Sequence, residues 1–140
     1  MSFHEKSAWL MAVILTLCGL SYFQKVFAMS QAAGEVIAPS LQMLSSFTVS
    51  IVVLAVIGHI VTAAVAPKEA NTDPDERERT IFNKAGNLSG YILGFGAVAG
   101  LFHFLFKGDG NLLFYIVFAS LLVAQIADYA LQIFFYRRGF

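Results

Sequence analysis

Charge is scarce in this sequence. Of 140 residues only 13% are Asp, Glu, Lys or Arg, about half the share of an ordinary soluble domain. Nine basic and nine acidic residues cancel, so nothing resembles the basic footprint of a nucleic-acid-binding protein. A single cysteine, Cys18, excludes an internal disulfide framework and a cysteine-rich metal site. Set inside an apolar run, it is most simply a small packing residue. There is no HExxH motif and no carboxylate cluster to hold a catalytic metal. No segment alternates with period two as a barrel strand would. The glycine-rich stretches lie inside apolar runs and so are not phosphate loops. The chain reads as a non-enzyme, with no catalytic set, cofactor, metal or nucleic-acid partner expected.

What fills the space left by charge is apolar: 58% of residues are hydrophobic and the mean hydropathy is +0.71. A chain this short has too little interior to hide such a surplus from water. A membrane helix needs about 20 mostly apolar residues, and residues 8–27, 37–66, 86–106 and 112–136 each meet that length. The second run exceeds one crossing, which leaves room for tilt or a projecting end. Unpaired backbone groups are excluded from lipid, so all four are helices. The expected architecture is all-α, a transmembrane four-helix bundle forming a single domain over residues 1–140. The first run has an alternative as a signal peptide, with Lys6 as its positive start and Val26-Phe27-Ala28 as a loose cleavage site. Its length, and Gln24 and Lys25 just before that site, favour a retained span. Leu17 before Cys18 spoils a lipoprotein site.

Basic residues in short loops mark the cytoplasmic side. Lys6, Lys68, Arg77, Arg79, Lys84, Arg137 and Arg138 fall on one side, and Lys25 and Lys107 on the other. Both termini and the central loop, residues 67–85, are therefore expected in the cytoplasm of a bacterial inner membrane. Trp9, Tyr22, Tyr115 and Tyr136 lie near span ends, where amphipathic rings settle among headgroups.

The central loop is the one polar segment. Asp73 reads as a helix cap, Pro74 as its first-turn residue and Glu76 as the closing residue of a box-like pattern. Asp75 and Glu76 then stand four and three residues before Arg79, at spacings that suit pairing along a helix. The third helix is thus expected to begin in the cytoplasm and run into the membrane, with a bend near Gly86. Asp75-Glu76-Arg77-Glu78-Arg79 reads as a solvated, self-paired helix end or as a docking surface for a cytoplasmic protein. Its mixed signs argue against attraction to anionic lipid.

His4-Glu5-Lys6-Ser7-Ala8-Trp9, Gly58-His59-Ile60-Val61, Ala66-Pro67-Lys68-Glu69-Ala70, the Asp75–Arg79 run and Gly110-Asn111-Leu112-Leu113-Phe114-Tyr115 together resemble a family of small bacterial four-span membrane proteins. The resemblance covers nearly the whole chain and implies a fold and a host, but no activity and no catalytic residue. Some similar small proteins are encoded beside short helix-turn-helix regulators, which makes membrane signalling a candidate role.

Gly86, Gly90 and Gly94 recur every fourth residue, and Gly96 and Gly100 form a second pair on a different face. Small residues at this spacing let helix backbones approach closely. Packing inside the bundle is the first reading, and homo-oligomer formation the alternative.

His59 and Asp128 are ionisable groups within spans, which are costly and face a bundle interior or a wet cavity. By helix rise, His59 lies about 12 Å below Pro67 and Asp128 about 13 Å below Arg137, so they share a depth. Gln125, Asp128, Tyr129 and Gln132 fall on one helix face, a polar stripe. A His59–Asp128 bond between the second and fourth spans is expected, as a packing bond or as part of a proton or cation path. His103, near the opposite membrane surface, is at the wrong depth to share a haem with His59. Two functions follow: association with a second copy or a cytoplasmic partner, and transport by an oligomer. Four short spans invite comparison with the small multidrug-resistance exporters, which dimerise around a carboxylate in the first span. Residues 8–27 contain no acid, and only Asp128 is placed for such a role.

Overall fold

The computed structural model describes residues 2–65, 67 and 73–138. Its elements are four helices: α1 (Phe3–Ala33), α2 (Leu41–Val65), α3 (Glu76–Lys107) and α4 (Gly110–Arg138). Each is long and apolar enough to cross a membrane. The protein is a multi-pass membrane protein in which the expected all-α, four-helix architecture is present. The helices outrun the hydrophobic spans because their polar ends continue the helix beyond the apolar core. The exception is the start of α2: residues 37–40 precede it, and Ser40 caps it, with Oγ accepting from Met43 N at 3.4 Å. Ala66 and residues 68–72, including Lys68, lie outside the described residues.

Two glycines end helices in the left-handed region where a side chain would be strained. Gly34 (φ 74°) closes α1, and Gly108 (φ 68°) closes α3, its N–H returning to Phe104 O. After Gly108 the chain turns within one residue, and Asp109 Oδ1 caps α4 by accepting from Leu112 N at 3.0 Å. Asn111 Nδ2 donates to Val36 O at 3.1 Å, fastening the α1–α2 connection to the start of α4.

The helices pair as α1 with α2, α1 with α4, and most extensively α3 with α4. Two small cores lie at opposite ends. Tyr22, Val26 and Tyr115 form one, with the Tyr22, Phe47 and Phe118 rings meeting at 5.1–5.4 Å to join α1, α2 and α4. Ile81, Ala85 and Phe135 form the other, between α3 and α4. Helix α2, by contrast, buries no residue at all. A helix this apolar and this uncovered needs lipid around it.

Candidate functional site

The start of α1, the start of α3 and the end of α4 converge. Ser2 caps α1, its Oγ accepting from Glu5 N at 3.2 Å. Asp75 caps α3, with Oδ1 accepting from Glu78 N at 2.7 Å and Glu78 Oε2 accepting from Asp75 N at 3.4 Å. This capping box corrects the expected one by two residues. Asp75 rather than Asp73 is the cap, and Pro74 stays outside the helix, where its missing N–H costs nothing. The expected Asp75–Arg79 and Glu76–Arg79 pairs give way to an Arg79 Nε bond to Pro74 O at 3.2 Å. Helix α3 is continuous through Gly86.

Glu78 does more than close the box. Its Oε1 accepts from Tyr136 Oη at 3.1 Å, and its Oε2 lies 3.8 Å from His4 Nε2. The His4 ring also meets Phe82 edge-on at 5.7 Å. Beside this cluster Glu5, only 8% exposed, lies 3.8 Å from Arg137 Nε, and the Arg137 guanidinium covers the Trp9 ring at 5.3 Å. A carboxylate on each of two helix starts is thus met by a side chain from the last turn of α4. The contacts also place the start of α1, the start of α3 and the end of α4 on one side of the protein.

From Tyr136 a polar column descends α4. Gln125, Tyr129, Gln132 and Tyr136 are spaced four, three and four residues apart, one helical stripe covering about 16 Å of rise. Gln132, 8% exposed, donates from Nε2 to Asp128 Oδ2 at 3.2 Å. Asp128 Oδ1 is buried with no hydrogen-bond partner among the described residues. Of the expected stripe, Asp128 and Gln132 are joined by a hydrogen bond, and Tyr136, one turn beyond Gln132, belongs to the His4–Glu78–Tyr136 cluster.

The expected His59–Asp128 bond does not form. His59 Nε2 lies 2.7 Å from Ser7 Oγ, and Nδ1 lies 2.7 Å from Ala55 O. Helix α2 reaches α4 at the opposite end, through Phe47 and Phe118. At the depth of His59 its neighbour is α1, so equal depth brings no contact. His103 Nδ1 is buried without a hydrogen-bond partner among the described residues, as is Tyr115 Oη.

The glycines divide in a way their spacing does not reveal. Gly96 and Gly100 sit against α4. A Cβ on Gly96 would overlap the Ser120 side chain, and one on Gly100 would lie 3.0 Å from Ile116 Cγ2. Nothing lies within 4 Å of where a Cβ would stand on Gly86, Gly90 or Gly94, and all three are exposed. The first reading of this set, packing inside the bundle, is therefore corrected. The face of α3 that meets α4 runs through Ile81, Ala85, Gly96 and Gly100, leaving the other glycines to one side.

Within the Asp75–Arg79 run, Glu76 and Arg77 remain outward and exposed while Glu78 is committed inward. The residues that sequence reasoning passed over are His4, Glu5, Ser7 and Arg137. Their contacts left no local signal, because their partners lie far away along the chain. Among the described residues no three His, Cys, Asp or Glu side chains could hold a metal. No family model, no curated protein and no solved structure matches the chain.

Proposed function

We propose that this is a non-enzymatic protein of a bacterial inner membrane that acts by associating with a second copy of itself through α3. One observation carries the reading. Asn83, Gly86, Asn87, Gly90, Gly94 and Ala97 fall on a single stripe, all but Ala97 are exposed, and nothing stands within 4 Å of where a Cβ would be on any of its three glycines. Glycines permit close backbone approach, and asparagine amides bond between membrane helices. Neither amide has a hydrogen-bond partner among the described residues. A stripe of this composition is self-complementary about a two-fold axis, as a dimer interface must be. The shared side of the α1 start, α3 start and α4 end, with its excess of basic residues, supports a cytoplasmic location for both termini. There Glu76 and Arg77 are free to meet a signalling or regulatory partner.

Cross-linking in bilayers tests this. Gly90→Leu and Gly94→Leu, and separately Asn83→Leu with Asn87→Leu, should abolish the dimer without lowering the melting temperature of the monomer in detergent. A wild-type protein that is monomeric in bilayers would overturn the reading, as would a dimer indifferent to both sets.

A second reading, a proton- or cation-coupled oligomeric transporter, is favoured by the unpartnered Asp128 Oδ1 within the α4 column.

A further inference from the structure

The seam between α1 and α2 is closed at both ends and open between them. At one end Ser7 bonds His59 and Leu10 packs on Gly58, its Cδ2 standing 2.6 Å from where a Cβ would be. At the other end Tyr22 meets Phe47 at 5.3 Å. Along this seam runs a crevice of about 900 Å3, within the range of small-molecule sites. Its one charge lies at one end. Toward the α1–α2 connection Lys25, Ser40, Gln42 and Ser46 line it beside Met29 and Ile37, and deeper it ends on Leu17 and Leu54. Gln42 and Leu54 are separated by about 18 Å of helix rise.

The polar end has one sign. Among the described residues Lys25 is the only charged one lining the crevice, and none is acidic. Lys25 forms no ion pair among the described residues, and the side chains of Ser21, Gln42 and Ser46 likewise have no hydrogen-bond partner there. An ammonium and a set of unused donors recognise an anion with several oxygens, while the leucine-lined depth accepts a hydrocarbon chain. The crevice borders α2, none of whose residues is buried in the protein, so it is entered from lipid.

We propose that the α1–α2 crevice binds an anionic phospholipid of the surrounding bilayer, its phosphate at Lys25 and an acyl chain running toward Leu17 and Leu54. This stands independently of dimerisation, since no residue of the α3 stripe takes part.

Native mass spectrometry and thermal shift of the full chain in detergent, with added phosphatidylglycerol or phosphatidylcholine, test it. Phosphatidylglycerol should be retained and should raise the melting temperature more than phosphatidylcholine does. Lys25→Gln should weaken phosphatidylglycerol binding about tenfold, the loss expected for one charge-assisted contact. Ser46→Trp, which fills the crevice, should remove retention of both lipids. If Ser46→Trp fails to fold, Lys25→Gln decides alone, because that side chain has no partner to lose. Equal retention of the two lipids, or a Lys25→Gln protein that binds phosphatidylglycerol as wild type does, would overturn the proposal. Glycerol phosphate that binds as tightly as phosphatidylglycerol would overturn it too, by showing a site for a free anion.

Discussion

His59 Nε2 and Ser7 Oγ stand 2.7 Å apart, joining the last turns of α2 to the first turns of α1. The tautomer follows from the other ring nitrogen. Nδ1 faces the carbonyl of Ala55, which can only accept, so Nδ1 carries the hydrogen. Nε2 of the neutral ring then accepts from the Ser7 hydroxyl. Away from the aromatic cluster this bond is the main polar tie on a helix that buries nothing.

Ser7→Ala and His59→Phe should therefore be non-additive. A double-mutant cycle followed by unfolding in detergent should give a coupling near the ~0.6 kcal/mol average for bonds between membrane helices. His59→Phe combined with Asp128→Asn should be additive, because their partners are separate. Coupling in the second cycle and none in the first would refute this arrangement.

The two glycine sets should respond oppositely in the monomer. Gly96→Leu meets the Ser120 side chain, whose hydroxyl is already bonded to Ile116 O at 2.7 Å. It should cost about 1–3 kcal/mol, the usual range for overpacking. Gly86→Ala meets nothing within 4 Å and should gain up to about 1 kcal/mol in helix propensity. Urea or detergent titration of each variant reads the difference. A destabilised Gly86→Ala monomer would show a neighbour that this packing lacks.

Which parts of this were legible beforehand follows from how many coordinates each requires. Four helices need only length and hydropathy, because lipid tolerates no other spanning backbone here. The α4 stripe needs only the 3.6-residue period, and Gln125, Asp128, Tyr129 and Gln132 share it. A contact between helices needs depth, azimuth and the identity of the neighbour. His59 and Asp128 agree in depth alone, and the histidine's neighbour proved to be Ser7. The glycines illustrate azimuth: both sets have the same four-residue spacing, but α4 covers one and leaves the other open. The register of the α3 cap was ambiguous because Asp73 and Asp75 are each followed three residues later by a glutamate. Glu78 settles it through Tyr136, a contact that no local pattern contains.

That cap gives a sharp comparison. Asp75→Ala removes the acceptor for Glu78 N and loosens the residue that holds Tyr136. It should cost about 1 kcal/mol, the typical value for losing an N-cap. Asp73→Ala should change stability by less than about 0.5 kcal/mol, as an exposed substitution outside the helix. Equal effects at the two positions would restore the earlier register.

Asp128 separates the two functional readings. Its Oδ2 is satisfied by Gln132 and its Oδ1 is not, so the side chain already sits in a half-satisfied site. Asp128→Asn keeps an oxygen for Gln132 and leaves one polar group without a partner, as before. The fold should therefore tolerate it, with a change within about 1 kcal/mol. Gln132→Leu instead strips the carboxyl of its only hydrogen bond among the described residues and should cost about 1–3 kcal/mol, the penalty of a buried unsatisfied group. With stability so little altered in Asp128→Asn, its function can be tested cleanly in vesicles carrying a pH-sensitive dye. For a protein acting by association, wild type and Asp128→Asn should be equally silent, and both should cross-link as dimers. Proton flux in wild type that disappears in folded Asp128→Asn would replace association by transport, with the column from Gln125 to Tyr136 as its path.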